Sequence, residues 1–227
     1  MALNDIYLRR FGAEIDDRKD LWQILVRDFF QKFVGPCDTV LDLPCGYGGF
    51  INNVSCGQKI ALDLNPDSAV HVTPDAQFLL ASSTDIPLPD GSVDTVFISN
   101  FFEHLCRADI TATIKECRRV LRVGGTVLVL QPNIRFAYRD YWMFLDHTTP
   151  VDDRMLEEAF GLAGFALRTR ILRFLPFTAK SRIPQARLLV RAYLRIPLAW
   201  RMIGKQTFMV FEKLRRPSDR PAVRCKG

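Results

Sequence analysis

The stretch V-L-D-L-P-C-G-Y-G-G-F at residues 40–50 decides the fold. Its first apolar residues predict a buried strand, and the glycines that follow predict a tight turn. A second apolar run, residues 60–63, ends in Asp63, 21 residues after Asp42. Strand, glycine turn, helix, strand and acid are the parts from which an α/β sheet builds a nucleoside pocket. We therefore expect the turn backbone to approach a ligand and Asp63 to accept hydrogen bonds from two ribose hydroxyls.

The spacing of the glycines distinguishes between nucleoside ligands. The dinucleotide pattern G-x-G-x-x-G fails here because Pro44 and Ile51 occupy positions that it assigns to glycine. Asp42, inside the turn, would repel a pyrophosphate but suits an ammonium group, such as that of the methionine end of S-adenosylmethionine. An ordinary α/β turn without a ligand remains the alternative. The residues expected at the methionine end are Asp42, Pro44, Gly46, Tyr47 and Gly48.

The same letters carry a resemblance to a known family. D-L-P-C-G-Y-G-G-F at 42–50 resembles motif I of the class I S-adenosylmethionine-dependent methyltransferases, with Pro44 in place of the usual first glycine. S-T-D at 83–85 and D-T-V-F-I-S-N at 94–100 follow in the order that the family uses. The resemblance implies a Rossmann-like α/β fold: a seven-stranded sheet with the last strand antiparallel and helices on both faces. It also implies S-adenosyl-L-methionine as the cofactor.

Further cofactor residues are expected after strands two, three and four, because ligands of open α/β sheets bind at the carboxyl ends of the strands. Asp85 lies where a carboxylate would accept a hydrogen bond from the adenine amino group, although a turn role in its proline-rich loop is an alternative. Asn100 and Phe101 should face the methyl donor. The candidates after these three strands are Asp63, Leu64, Asn65, Ser83, Thr84, Asp85, Asn100 and Phe101.

The acceptor side should lie beyond strand five. Methyl transfer from a sulfonium needs alignment and exclusion of water, and a hydroxyl acceptor also needs a base. We predict His147, oriented by Asp146, as the base and His104 as the runner-up, with a capping or packing role for His104 as the alternative. Nearby aromatic residues could stack on a sugar ring or pack as core. They are Tyr138, Tyr141, Trp142 and Phe144.

A narrower resemblance concerns the acceptor. Q-P-N-I-R at 131–135, R-F-L-P-F-T-A-K-S-R-I-P at 173–184 and Y-L-R-I-P-L-A-W-R at 193–201 resemble a bacterial group found with genes for cell-surface polysaccharide assembly. It implies O-methylation of a sugar or lipid-linked glycan. The alternatives are a small-molecule N- or O-methyltransferase of secondary metabolism and a non-catalytic S-adenosylmethionine-binding partner of a glycosyltransferase. The broken dinucleotide pattern disfavours an oxidoreductase.

The net charge of +6 is unevenly distributed. Residues 168–227 contain 16 Lys or Arg and two acids, for +14, whereas residues 1–167 carry 15 basic and 23 acidic residues, for −8. An insertion at 175–204, expected between the last two strands, has no acid and places Arg187, Arg191 and Arg195 on one stripe of an apolar helix. Such a helix either lies at an anionic membrane surface or packs half-buried on the protein. No nucleic-acid recognition motif accompanies the charge.

Length and composition predict a single domain at 1–213 followed by a basic tail at 214–227. No two of the six cysteines form a C-x-x-C pair, and no ligand-spaced His or carboxylate cluster is present, so we expect free thiols and no metal. The chain lacks a secretory signal and an apolar run of membrane-spanning length. We expect a cytoplasmic protein, with peripheral attachment to the inner membrane face through 175–204 if that insertion binds lipid.

Overall fold

The computed structural model describes residues 15–177 and 187–215, in which seven strands form one sheet with the order β3-β2-β1-β4-β5-β7-β6. Strands β1 to β5 pair in parallel, while β7 runs antiparallel to both β5 and β6. The predicted seven-stranded sheet with an antiparallel last strand is confirmed. The strands are β1 (Thr39–Asp42), β2 (Gln58–Asp63), β3 (Ala76–Leu80), β4 (Val93–Ser99), β5 (Leu121–Pro132), β6 (Phe165–Ile171) and β7 (Gln206–Lys213).

Helices and short 3-10 turns connect the strands. The α-helices are α1 (Ile15–Asp28), α2 (Arg107–Val120), α3 (Ile134–Ala137), α4 (Asp153–Ala163), α5 (Arg187–Arg195) and α6 (Pro197–Ile203). The 3-10 segments are Phe30–Phe33, Pro66–His71, Phe102–His104 and Tyr141–Met143. Helix α4 begins at a cap in which Asp152 accepts from two backbone N–H groups, and it ends at Gly164 in the left-handed conformation, as its flanking residues predict.

The central strands are apolar on both sides because each side faces a separate layer of helices. In β4, Val96 and Ile98 belong to the cluster that contains Ile114 of α2 and Phe160 of α4. Phe97 points to the other cluster, which contains residues of α1 and α5. The predicted helices on both faces are therefore present, and they fix the carboxyl ends of β1, β2 and β4 side by side.

The segment between β1 and β2 differs from the expected helix. Residues 46–53 form consecutive turns, with isolated bonds such as Asn52 N–H to Gly48 carbonyl at 3.0 Å and Val54 N–H to Phe50 carbonyl at 3.1 Å. Gly48 has φ +69°, which interrupts a right-handed helix at its start. The prediction of a helix here was wrong.

Helix α2 stops at Val120, and Gly124 and Gly125 lie inside β5. A register shift between β4 and β5 falls beside them. A Cβ on Gly125 would lie 2.8 Å from the Asp94 carbonyl oxygen, so close approach of the two strands explains the glycine.

Part of the predicted insertion and tail lies outside the described residues: 178–186 of the insertion and 216–227 of the tail. Helices α5 and α6 occupy the described part between β6 and β7, and α5 ends before Pro197 as predicted. None of the helices in these described ranges is long and apolar enough to cross a membrane. Five cysteines in the described ranges are free, as expected: Cys37, Cys45, Cys56, Cys106 and Cys117.

Candidate active site

Backbone hydrogen bonds hold the glycine turn after β1 against its neighbours. The Leu43 N–H donates to the Phe97 carbonyl of β4, and the Cys45 N–H donates to the Leu62 carbonyl of β2, both at 2.9 Å. Gly46 has φ +50°, a conformation that favours glycine, and a Cβ there would meet no atom within 4 Å. The turn is therefore fixed at its base by both adjacent strands and open at Gly46.

The far side of the turn contacts the loop that follows β2. The Tyr47 and His71 rings meet edge to face with centroids 4.6 Å apart. The Asn52 side chain donates to the His71 carbonyl at 2.7 Å and accepts from the Thr73 N–H at 3.0 Å. These bonds join two loops that both adjoin the carboxyl end of β2.

Asp63, the acid at the end of β2, is buried and bonded to the backbone around it. Its Oδ2 accepts from the Gly46 N–H at 2.8 Å, and its Oδ1 accepts from the Asn65 N–H at 2.9 Å. Each carboxylate oxygen has a second lone pair, so Asp63 can still accept from two hydroxyls. The carboxylate thus fixes the glycine turn while retaining the acceptor capacity expected for a ribose.

Asp42, at the end of β1, is also buried, and its Oδ2 accepts from the Ile51 N–H at 3.2 Å. Burial raises the pKa of Asp42 well above its usual range, the Ile51 hydrogen bond lowers it, and the charge of Asp63 raises it further. Ionised, this carboxylate would favour a cationic neighbour. A ligand with an ammonium or sulfonium group would supply that positive charge.

The loops after β2 and β3 place their predicted residues differently. Leu64 is exposed, and the Asn65 side chain caps the following 3-10 segment by accepting from the Asp67 N–H at 3.1 Å. Ser83 is buried, and its hydroxyl bonds Thr113 of α2 at 2.8 Å. The Thr84 hydroxyl bonds Ser82, while the Asp85 side chain is exposed. Ser83 and Thr84 therefore have evident structural partners, and a cofactor role for Asp85 stays a prediction.

Asn100 follows β4 with φ +48°, a left-handed conformation that is uncommon for a residue other than glycine. Its N–H donates to the Leu130 carbonyl of β5 at 2.9 Å, which fixes this conformation at the end of the sheet. Phe101 is half-buried against the core. The chain then turns at Phe102–His104, so the next side chains lie at the same edge.

Glu103, the residue before His104, is buried at this edge. Its Oε2 accepts from Gln131 Nε2 of β5 at 2.6 Å, and its carbonyl accepts from the Thr148 and Thr149 N–H groups at 2.8 and 3.2 Å. Desolvation raises the pKa of Glu103. Glu103 therefore connects β4, β5 and the 138–149 segment, and only these long-range contacts reveal it.

His104 and His147 lie together beside Glu103. Their ring centroids are 5.0 Å apart, and His104 Nε2 is 3.8 Å from Glu103 Oε1. The Asp146 carboxylate, which we expected to orient His147, lies 3.2 Å from His104 Nδ1, and the Asp146 carbonyl oxygen is also 3.2 Å from that nitrogen. The structure thus gives His104 a carboxylate contact with Asp146, and the orientation of His147 by Asp146 stays a prediction.

One ligand atom from each of Glu103, His104 and His147 lies within 4.8 Å of the others. Residue spacing alone does not reveal this cluster, because His147 is 43 positions after His104. We call these three residues the Glu-His-His cluster. It adjoins the ends of β4 and β5, on the side predicted for the acceptor.

The aromatic residues near this cluster divide into two groups. Tyr141 is fully buried, and its hydroxyl donates to the Thr149 carbonyl at 2.7 Å and accepts from the Val151 N–H at 2.9 Å. It is therefore core and not a stacking surface, as is consistent with a pKa raised by burial. Phe144 is half-buried against His147. Tyr138 and Trp142 are 60% and 53% exposed and are able to contact a ligand.

Two arginines of the α5 stripe pair with acids of α1. Arg187 forms a bidentate pair with Asp20, and Arg191 lies 3.5 Å from an Asp28 oxygen, both acids being in α1. The first two arginines of the stripe therefore pair with acids of α1, and attachment to an anionic surface stays a prediction. Apolar residues of α5 and α6 are exposed instead: Leu188, Leu189, Ile196, Leu198, Met202 and Ile203.

Comparison with known proteins agrees with this geometry. Residues 41–129 match a protein family described as a methyltransferase domain. A Mycobacterium tuberculosis protein named "Probable S-adenosylmethionine-dependent methyltransferase" is 32% identical over 124 residues, covering 52% of this chain and 44% of that protein. A similarly named Mycolicibacterium smegmatis protein is 35% identical over 145 residues, covering 60% and 56%. A Serratia marcescens malonyl-[acyl-carrier protein] O-methyltransferase is 33% identical over 114 residues, covering 46% and 44%. The chain spans about half the length of these curated relatives.

Solved structures share the fold. A chain from the complex of the Haloferax volcanii Trm112 methyltransferase activator with a methyltransferase superposes with TM-score 0.65 and 23% identity, over 91% of this chain and 94% of that one. An S-adenosylmethionine-dependent methyltransferase from Archaeoglobus fulgidus gives TM-score 0.64 and 18% identity, over 89% and 99%. At these identities the likeness shows the architecture alone.

Proposed function

We propose that the protein is a class I S-adenosylmethionine-dependent methyltransferase that transfers the cofactor's methyl group to a hydroxyl oxygen of a sugar or lipid-linked glycan. The match of residues 41–129 to a methyltransferase-domain family and the similarly named relatives support the methyl-transfer part. The observation that carries the proposal is the arrangement of two sets of polar side chains at one edge of the sheet. Asp42 and Asp63 end β1 and β2, and the Glu-His-His cluster joins residues that follow β4 to one that follows β5.

The cofactor's methionine end is assigned to Asp42 and the glycine turn, and its ribose to Asp63. Two buried carboxylates at adjacent strand ends favour a cationic ligand. S-adenosylmethionine is such a ligand, because it carries both a sulfonium and an ammonium group. Gly46 leaves room for the ligand to lie against the backbone. Asp85 is assigned to the adenine amino group, and Asn100 with Phe101 to the face nearest the methyl group.

Methyl transfer asks little of the protein, because the sulfonium is already a good leaving group. The protein must align the acceptor with the S–CH3 bond and exclude water. A sugar hydroxyl must also lose its proton as it attacks, and the proposal assigns its removal to His147 or His104. Asp146, whose carboxylate lies 3.2 Å from His104 Nδ1, would hold the His104 ring in position. Exposed Tyr138 and Trp142 offer faces on which a sugar ring stacks.

A second acceptor class, a carboxylate, is favoured by one observation. The Serratia marcescens relative is named for O-methylation of a malonyl group on an acyl-carrier protein. A carboxylate acceptor is already ionised at neutral pH, so its methylation needs no base. The two classes therefore differ in their dependence on the histidines.

A screen of S-adenosylhomocysteine release tests the proposal. Nucleotide sugars, lipid-linked sugars and a malonyl thioester would each be supplied with S-adenosylmethionine. Release with a sugar-bearing acceptor supports the proposal. Release only with the malonyl thioester supports the second class, and failure of the wild-type protein to bind S-adenosylhomocysteine contradicts both.

We also propose that α5 and α6 attach the protein peripherally to an anionic membrane face. Their outward apolar side chains and the exposed Arg195 and Arg201 form the mixed surface that interfacial helices use. Sedimentation with anionic and neutral vesicles tests this. Binding to anionic vesicles should be lost in the double variant Leu198→Ser/Arg201→Glu and retained in Arg107→Glu, which reverses an exposed charge on α2. Equal sedimentation of all three proteins would contradict the proposal.

A further inference from the structure

The Glu-His-His cluster holds more than a proton acceptor requires. A base needs one basic atom, yet three buried or half-buried side chains converge here with ligand atoms within 4.8 Å of one another. Two imidazoles and one carboxylate form the donor set of catalytic zinc sites and of the facial triad that binds other divalent transition metals. We propose that Glu103, His104 and His147 bind a divalent transition-metal ion, such as zinc, at the acceptor end of the site.

The contacts around two of these residues support the assignment. Metal-binding histidines usually donate their second ring N–H to a carboxylate or a carbonyl oxygen, which fixes the ring and its tautomer. His104 has both oxygens of this kind beside Nδ1, from the Asp146 carboxylate and the Asp146 carbonyl, each at 3.2 Å. Its Nε2 is thereby left as the ligand atom, and Nε2 is the ring nitrogen nearer to Glu103.

Glu103 is held in the corresponding way. Gln131 donates to Oε2 at 2.6 Å, so Oε1, 3.8 Å from His104 Nε2, is the oxygen that faces the cluster. Neighbouring ligand atoms around zinc are separated by about 3.3–3.5 Å when each bond is about 2.0–2.2 Å. The His104 Nε2 to Glu103 Oε1 distance is 3.8 Å, and all three ligand atoms lie within 4.8 Å of one another. These distances exceed the zinc-site values by up to about 1.5 Å, which side-chain rotations can close. Asp146 and Gln131 are positioning residues for the two ligands.

Three protein ligands leave a fourth position open, as in catalytic zinc sites. This part of the inference rests on the proposed methyl transfer. An acceptor hydroxyl in that position would become more acidic and lose its proton to water. Its oxygen would then form the new O–CH3 bond while the S–CH3 bond breaks, and the electron pair of that bond would stay on sulfur. The histidines would act as ligands in that state.

Metal titration of the full chain after chelator treatment tests the inference. We expect one zinc ion per chain by calorimetry and a visible absorption band on titration with cobalt, with magnesium much weaker because it prefers oxygen ligands. Glu103→Gln keeps the shape of the side chain and should weaken zinc binding more than about 100-fold, as should His147→Ala. Asp146→Asn, which alters a positioning residue, should weaken it by about 10- to 100-fold.

Two matched controls separate this site from others on the chain. His71→Ala removes the third histidine, which lies against Tyr47, and Cys106→Ser removes an exposed thiol two residues after His104. Both should retain wild-type zinc affinity. Undiminished zinc binding by Glu103→Gln and His147→Ala, or an equal loss in either control, would overturn the inference.

S-adenosylhomocysteine affinity, measured on the same samples, keeps the two proposals apart. Cofactor binding without zinc or cobalt binding would refute the metal site and leave the methyl-transfer proposal standing. Metal binding that depends on His147, without cofactor binding, would refute the methyl-transfer proposal and support the metal site. A ligand variant that still binds the cofactor demonstrates that its fold is retained.

Discussion

The cofactor end and the acceptor end of this molecule are built differently. Asp42, the glycine turn and Asp63 come from 22 consecutive residues and are bonded to one another by backbone N–H groups. The acceptor end joins the turn after β4 to a segment more than 40 residues later through side-chain and loop contacts. A site that is local in sequence has its shape fixed by neighbouring strands, whereas one assembled over distance depends on each long-range contact.

The largest expected effect is at the cofactor end. Asp63→Ala removes the predicted acceptor of two ribose hydroxyls and the partner of the Gly46 and Asn65 N–H groups. We expect cofactor affinity to fall by about 2–4 kcal/mol, or roughly 30- to 900-fold. Calorimetry with S-adenosylhomocysteine measures it, and Asp67→Ala, at an exposed neighbouring acid, is the control. Equal affinity in wild type and Asp63→Ala would remove Asp63 from the cofactor site.

The next effect should separate the two ends. His147→Ala is expected to lower turnover of a hydroxyl acceptor by about 100-fold while cofactor affinity stays unchanged, whether His147 receives the proton or binds a metal ion. Steady-state kinetics with the acceptor identified by the screen provide the turnover, and calorimetry provides the affinity. Near-normal turnover would return His147 to a packing role against Tyr141 and Phe144.

The two ends of the site also differ in how much of each can be predicted from the sequence alone. The acids that end β1 and β2 follow from apolar runs and their spacing, and the seven-stranded sheet follows from the family resemblance. Glu103 could not be assigned a partner, because Gln131 approaches it only when β4 and β5 pair. Asp146 is adjacent to His147 in sequence, yet its side chain contacts His104. Tyr141 and Trp142 are neighbours of similar character, and only packing distinguishes the buried ring from the exposed one.

A third prediction concerns the stability of the cofactor end without its ligand. The folded-state pKa of Asp42 is raised, so the folded protein binds this proton more tightly than the unfolded chain does. The free energy of unfolding should therefore fall as pH rises from the ordinary carboxyl pKa to the raised one. The amide side chain that Asp42→Asn introduces does not ionise, so above that pH window the free energy of unfolding of this variant should exceed that of the wild type by on the order of 1 kcal/mol. The variant should also bind the cofactor less tightly.

Urea unfolding at a series of pH values measures the difference between wild type and Asp42→Asn. Asp67→Asn, which changes an exposed carboxyl nearby, should follow the wild-type profile. If the wild-type and Asp42→Asn curves are parallel across the window, Asp42 does not carry the cost of a buried charge. The result would also show whether the buried carboxylate that favours a cationic ligand lowers the free energy of unfolding of the protein.

The smallest expected effect lies at the exposed rim of the acceptor end. Trp142→Ala should raise the KM of a sugar acceptor about 2- to 10-fold, because one stacking contact contributes roughly 0.5–1.5 kcal/mol. Turnover and cofactor affinity should stay unchanged. Trp142→Phe retains a ring and should lose less, and Met143→Ala, at an exposed neighbour without a ring, should lose nothing. An unchanged KM in Trp142→Ala would exclude this ring from the acceptor site. An equal rise in KM for Trp142→Ala and Met143→Ala would indicate that residues 141–143 act through their backbone. The acceptor end would then depend on loop geometry, as the glycine turn does.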